Sequence, residues 1–99
     1  MKMFYFLFDV RPKPGTKEAV ESGGAFVNCW IQRQTENEAS ERARFMLEGN
    51  NWIINELQES REVDEDYYLD DSEGMEYYKQ ALTDGEVLVI NSYPLEAQE

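Results

Sequence analysis

The chain has no histidine and a single cysteine, Cys29, among its 99 residues. Without imidazole there is no side chain that ordinarily titrates near neutrality, no Ser-His-Asp or Cys-His pair, and none of the commonest metal ligand. A lone cysteine closes no intramolecular disulfide, so nothing marks an oxidising compartment, and a cytoplasmic location is the expectation. Basic residues are scarce too. Nine Lys and Arg stand against 21 Asp and Glu, giving a net charge of −12 and a pI near 4.3. Such a field repels nucleic-acid phosphates and anionic lipid, which argues against a DNA or RNA binder and against a membrane role. The apolar run Met3-Phe4-Tyr5-Phe6-Leu7-Phe8 stops at Asp9. It is shorter than a signal-peptide core of roughly 7–15 residues or a bilayer span of roughly 20.

What the chain does have is apolar material: 41% hydrophobic and 13% aromatic residues, enough for the core of one domain over residues 1–99. Residues 3–10 read as a strand, with Phe4, Phe6, Phe8 and Val10 on one face and Met3, Tyr5, Leu7 and Asp9 on the other. Pro12, Pro14 and Gly15 break it. A helical turn is expected over 18–22, then, beyond Gly23-Gly24, a second strand from Ala25 to Arg33. In that strand Ala25, Val27, Cys29 and Ile31 share a face opposite Phe26, Asn28, Trp30 and Gln32. Thr35-Glu36-Asn37-Glu38 has the capping-box pattern, in which Thr35 takes the Glu38 amide and the Glu38 carboxylate returns to the Thr35 amide. The helix it starts carries Ala39, Ala43, Met46 and Leu47 as a stripe and a Glu38–Arg42 pair, and Gly49 is read as its stop. Trp52 to Leu57 is a third strand, extendable toward Val63. A second long helix from about Ser72 presents Met75, Tyr78, Ala81 and Leu82, and ends at Asp84-Gly85. Glu86 to Ser92 is the last strand, with Val87 and Val89 opposite Leu88 and Ile90. The segment from about 94 to 99 is expected to fray.

The charge is local. From Glu56 to Glu76 there are ten acids and one basic residue, Arg61. An exposed acidic loop over about 59–71 is expected, with Glu62, Asp64, Glu65, Asp66, Asp70 and Asp71 as a protein-binding surface for a basic partner. Calcium is not expected there. An EF-hand reading from Asp64 puts Leu69 where glycine is needed and Met75 where the bidentate glutamate belongs, so neither metal nor cofactor is assigned.

The element order ββαβαβ predicts an α+β two-layer sandwich, a sheet of about four strands with two helices on one face. In general outline it resembles ferredoxin-like domains, whose order is βαββαβ; here a hairpin precedes the first long helix. Because the first, second and last strands are apolar on both faces, a single layer of helices leaves one face bare. Tyr5, Leu7, Trp30, Val87 and Val89 are the expected dimer face, stacking two copies sheet to sheet.

Other constellations carry less. Cys29, in an apolar strand with no cation in view, reads as a small buried hydrophobe. Among 21 acids, Asp9 and Glu56 are the two most open to partial burial. Asn28, Trp30 and Trp52 are the residues available to line a ligand cleft. The leading reading is a non-enzymatic protein-interaction or regulatory module that forms a homodimer. The second is an inhibitor or immunity-type protein turning its 56–76 surface to a basic partner, and the third a small-molecule binder or enzyme at a dimer seam.

Overall fold

Alternation with a period of two on chains apolar at both phases requires cover on both sides of the sheet, and the fold supplies it. The computed structural model describes residues 1–94; of the segment expected to fray, 95–99 lie outside the described residues. The chain runs β1 (Lys2–Pro12), α1 (Lys17–Glu21), β2 (Gly24–Arg33), α2 (Glu36–Gly49), β3 (Trp52–Val63), a single 3-10 turn (Glu65–Tyr68), α3 (Ser72–Asp84) and β4 (Glu86–Tyr93). The four strands form one antiparallel sheet in the order β3-β1-β2-β4. The domain is α+β, as expected.

The placement of the helices differs from the expectation of one shared face. α2 packs Ala39, Ala43 and Leu47 on Phe4, Phe6, Phe8, Val10, Ala25, Val27, Cys29 and Ile31. α3 packs Tyr78 and Ala81 on Met3 and Trp30, at the alternate phase of β1 and β2, and on their neighbours across the sheet, Val63 of β3 and Val87 of β4. Since successive side chains of a strand point to opposite faces, the helices lie on opposite sides of the sheet, in three layers. The reason is in the pattern itself. Each long helix buries one apolar phase of the central strands, a gain of about 1.5–3 kcal/mol for each large side chain removed from water.

Local chemistry sets the element ends. Thr35 Oγ1 accepts the Glu38 amide at 3.2 Å, but the box closes through the Thr35 hydroxyl, which donates to Glu38 Oε1 at 3.1 Å. The stop expected at Gly49 is made by the two asparagines after it. Asn50 bonds the Met46 carbonyl through its amide side chain at 2.7 Å, and Asn51 adopts φ 71°, a left-handed conformation that asparagine tolerates. Gly85 ends α3 at φ 88°, as the Asp-Gly pair implies. The acidic 59–71 segment is more ordered than a loop, because β3 continues to Val63 and the 3-10 turn follows. Two register shifts, between Leu7 and Phe8 and between Asp9 and Val10, bend β3 along β1. Cys29 is fully buried, and burial pushes its thiol up to about 12.

The expected Glu38–Arg42 pair gives way to a longer-range one. Arg42 donates through Nε and Nη2 to the two oxygens of Glu86 at 2.9 and 2.8 Å, and Arg33 Nη2 reaches Glu86 Oε1 at 3.3 Å. This two-pronged contact ties α2 to the start of β4. The Arg42 hydrogen bond, with Arg33 beside it, holds the Glu86 carboxyl below its ordinary value. A lowered native pKa means that the contribution is present above the unfolded pKa and is lost as pH falls through the native one. We therefore expect Glu86→Gln to lower Tm at neutral pH and the difference to shrink as pH is lowered from neutrality through the ordinary carboxylate range. A Tm difference that stays constant across that range would mean that the charge of Glu86 contributes nothing.

Candidate functional site

α3 does not cover its whole face of the sheet. Its C-terminal end lies over the Gln32 end of β2, where the Gln32 amide donates to the Gly85 carbonyl at 2.9 Å. Its N-terminal end stops over the middle of the sheet. At that step lies a cavity of about 360 Å³, walled by all four strands, the 3-10 turn and the first turns of α3. Five aromatic residues line it (Tyr5, Trp30, Tyr67, Tyr68 and Tyr77), with three carboxylates (Glu59, Asp71 and Glu73), Asn28, Asn91, Val89 and Gly74.

Trp30 is the hub. It is 5% exposed, its ring stacks on Tyr77 at 5.1 Å and 30°, and Tyr5 lies 5.2 Å away on the neighbouring strand. The indole N–H donates to the Tyr68 hydroxyl at 2.7 Å, so the one polar atom of the indole is satisfied inside the wall. The Tyr5 hydroxyl donates to Asn28 Oδ1 at 2.5 Å. Burial, then the nearby Glu59 carboxylate, push the Tyr5 phenol up to about 12, and burial likewise raises Tyr68. Both phenols are therefore neutral at ordinary pH. Protonated, they present hydroxyl groups for hydrogen bonding, together with their ring faces.

Two of the three acids arrive with the start of α3. Asp71 is the N-cap of α3, its Oδ1 accepting the Gly74 amide at 3.0 Å, and Glu73 follows in the first turn. Glu59 comes from β3, opposite Leu7. Of the six acids singled out from the sequence, only Asp71 lines the cavity. Asp64 caps the 3-10 turn, accepting the Tyr67 amide at 3.2 Å, while Glu65, Asp66 and Asp70 are exposed. Glu62 pairs with Lys2 at 3.9 Å and stands opposite Phe4, at the α2-side phase of the strand.

The apolar set divides as well. Tyr5, Leu7, Trp30, Val87 and Val89 share one face, but Trp30 and Val87 are buried beneath α3, and Tyr5 and Val89 line the cavity. Of the cleft residues Asn28, Trp30 and Trp52, the first two belong to this cavity; Trp52 sits in the opposite core. Sequence reasoning places Glu59 and Glu73 only within the broad 56–76 acidic surface and does not single out Asn91, Tyr67, Tyr68 or Tyr77. The signal available was the density of tyrosine within the acidic run. Among the described residues no three Asp, Glu or Cys groups gather as a metal set, and no helix is long and apolar enough to cross a membrane. No family model, curated protein or solved structure matches the chain, so function is argued from the cavity itself.

Gly74 shapes this wall. A Cβ there would lie 2.6 Å from Tyr68 Cδ1 and 2.5 Å from Asp71 Oδ2, so Tyr68 or the cap must move. Alanine ordinarily favours a helix over glycine by about 1 kcal/mol. Displacing a packed ring costs about 1–3 kcal/mol, so the clash should win. We expect Gly74→Ala to lower the urea midpoint and to shift the Trp30 indole N–H resonance; an unchanged or raised midpoint would show that Tyr68 is not locked by this contact.

Proposed function

We propose that the protein is a non-enzymatic interaction module that binds a basic partner by taking a cationic side chain into the cavity beside α3. The observation that supports this reading most is the lining: five aromatic residues and three carboxylates, with no Lys or Arg among the lining residues. Ring faces attract a cation through their quadrupole, by about 0.5–2 kcal/mol per good contact, and carboxylates at the rim add hydrogen bonds and charge. The net charge of −12 would steer such a partner toward the chain.

The test uses the two tryptophans, which give two indole N–H resonances, Trp30 in the cavity and Trp52 in the opposite core as an internal control. A short Arg/Lys-rich peptide should shift the Trp30 signal and leave Trp52 in place, with binding persisting at about 0.15 M salt, where the screening length is about 8 Å. Glu59→Gln with Glu73→Gln should weaken binding roughly tenfold, since each exposed charge contributes up to about 1 kcal/mol. Glu18→Gln with Glu21→Gln on α1 removes equal charge away from the cavity and should have little effect. Equal losses in the two double variants would reduce the site to a general field.

Self-association is the second reading, and β4 favours it. Between Glu86 and Pro94 this edge strand has no charge, and Ile90 is 45% exposed, whereas the other edge, β3, carries Glu56, Glu59, Arg61 and Glu62 and is bulged. Unpaired strand edges without charges or bulges invite strand pairing. Stacking through the sheet face is less favoured, because Asp9 and Glu56 lie in its open part, at the register position they share. Light scattering should give the mass of two chains for the wild type at high concentration and of one for Ile90→Lys; one chain for both would leave the cavity as the only interaction reading.

A further inference from the structure

We propose that the cavity is selective for a guanidinium group and that Arg61 is its built-in competitor, an inference that rests on the cavity being a cation site. Arg61 is the only basic residue between Glu56 and Glu76. It stands on β3 opposite Tyr5, on the α3 side of the sheet. Its Nη1 donates to the Tyr67 hydroxyl at 2.6 Å, its Nη2 to Glu59 Oε1 at 2.5 Å, and its guanidinium carbon lies 5.4 Å from the centre of the Tyr67 ring. Tyr67 and Glu59 are both lining residues of the cavity. The rim thus already holds a guanidinium by a phenol oxygen, a carboxylate and a ring face together. A planar fork uses those three features at once; an ammonium, with a compact point charge, does not.

The hold is suited to exchange. The Arg61 and Glu59 side chains are 41% and 40% exposed, and pairs this open to water are weak. Glu86 offers the contrast, with both oxygens engaged by Arg42 and a further contact from Arg33, joining elements of the fold. Arg61 instead engages Glu59, two residues away on its own strand, and Tyr67 in the turn after it. Swinging out breaks these two hydrogen bonds and the contact with the Tyr67 ring, none of which joins distant elements. An arginine of the partner takes over Glu59 and the Tyr67 face, and Arg61 turns to solvent.

The probes are N-acetyl-arginine amide and N-acetyl-lysine amide, titrated against full-length protein with the Trp30 indole resonance as readout and Trp52 as the control for folding. The arginine amide should bind more tightly than the lysine amide. Arg61→Gln should bind the arginine amide roughly 3- to 10-fold more tightly than wild type, as expected for removing a weak internal pair and a like charge. Lys17→Gln, which removes one positive charge on α1, should gain little. Binding by the wild type with an equal or weaker affinity in Arg61→Gln, an equal gain in Lys17→Gln, or a preference for lysine would each overturn the proposal while leaving the cation site standing. Binding by Arg61→Gln alone would support it in its strongest form. No Trp30 shift in either protein would mean that the cation reading has failed, and this inference with it.

Discussion

The antiparallel pairing of β1 with β2 is the contact on which the rest of the structure depends. Both strands sit inside the sheet, flanked by β3 and β4, and both are apolar at every phase that matters: Phe4, Phe6, Phe8 and Val10 meet Ile31, Cys29, Val27 and Ala25 on one face, while Tyr5 meets Trp30 on the other. A pair of that kind cannot be covered by one layer. α2 closes the first face with small residues, Ala39 and Ala43, which let the helix come close to the Phe ladder. α3 closes the second with larger ones, Tyr78 and Met75, around the indole of Trp30. The separation into two cores follows directly from strand alternation.

A mismatch of length then produces the site. A helix of 13 residues reaches about 20 Å, whereas a strand of 10 residues spans about 33 Å. Anchored by Gly85 at the Gln32 end of β2, α3 runs out over the middle of the sheet, and the uncovered remainder begins at Tyr5 and Asn28. A helix N-terminus needs capping acceptors, so this step receives Asp71 and Glu73 at the point where the aromatic wall ends. Aromatic rings and carboxylates meet because a helix start and a half-covered apolar face coincide, and a cation is the ligand for which both are attractive at once.

What could be read from the chain is whatever depends on near neighbours. The strands, the Thr35 cap, the Gly85 stop and the alternation in β1 and β2 all follow from residues a few positions apart. The side of the sheet that each helix takes does not, because periodicity identifies an apolar stripe without saying which strand phase it will meet. The expected bare face was a correct reading of two-sided strands joined to an incorrect placement of α3. For the same reason the i,i+4 spacing points Arg42 to Glu38, one turn away, whereas its partner Glu86 lies 44 positions along the chain. The cavity was the least legible feature. Its lining is collected from six elements, and sequence reading scatters its members over three unrelated features: Asn28 and Trp30 in a cleft, Tyr5, Trp30 and Val89 in a dimer face, and Asp71 in an acidic surface.

The acidity of the chain acquires a finer meaning from this geometry. Ten acids between Glu56 and Glu76 look like one patch in sequence, yet β3 sends alternate members to opposite faces, and capping draws Asp64 and Asp71 into backbone contacts. Diffuse charge of this kind keeps a small protein dispersed and speeds encounters, but it distinguishes partners poorly. Selectivity requires a place where charge is combined with shape. Glu59, Asp71 and Glu73 have that at the cavity, where ring faces fix the direction from which a cation can approach. The surrounding acids would then govern how fast a basic partner arrives, and the aromatic wall which of its side chains is kept.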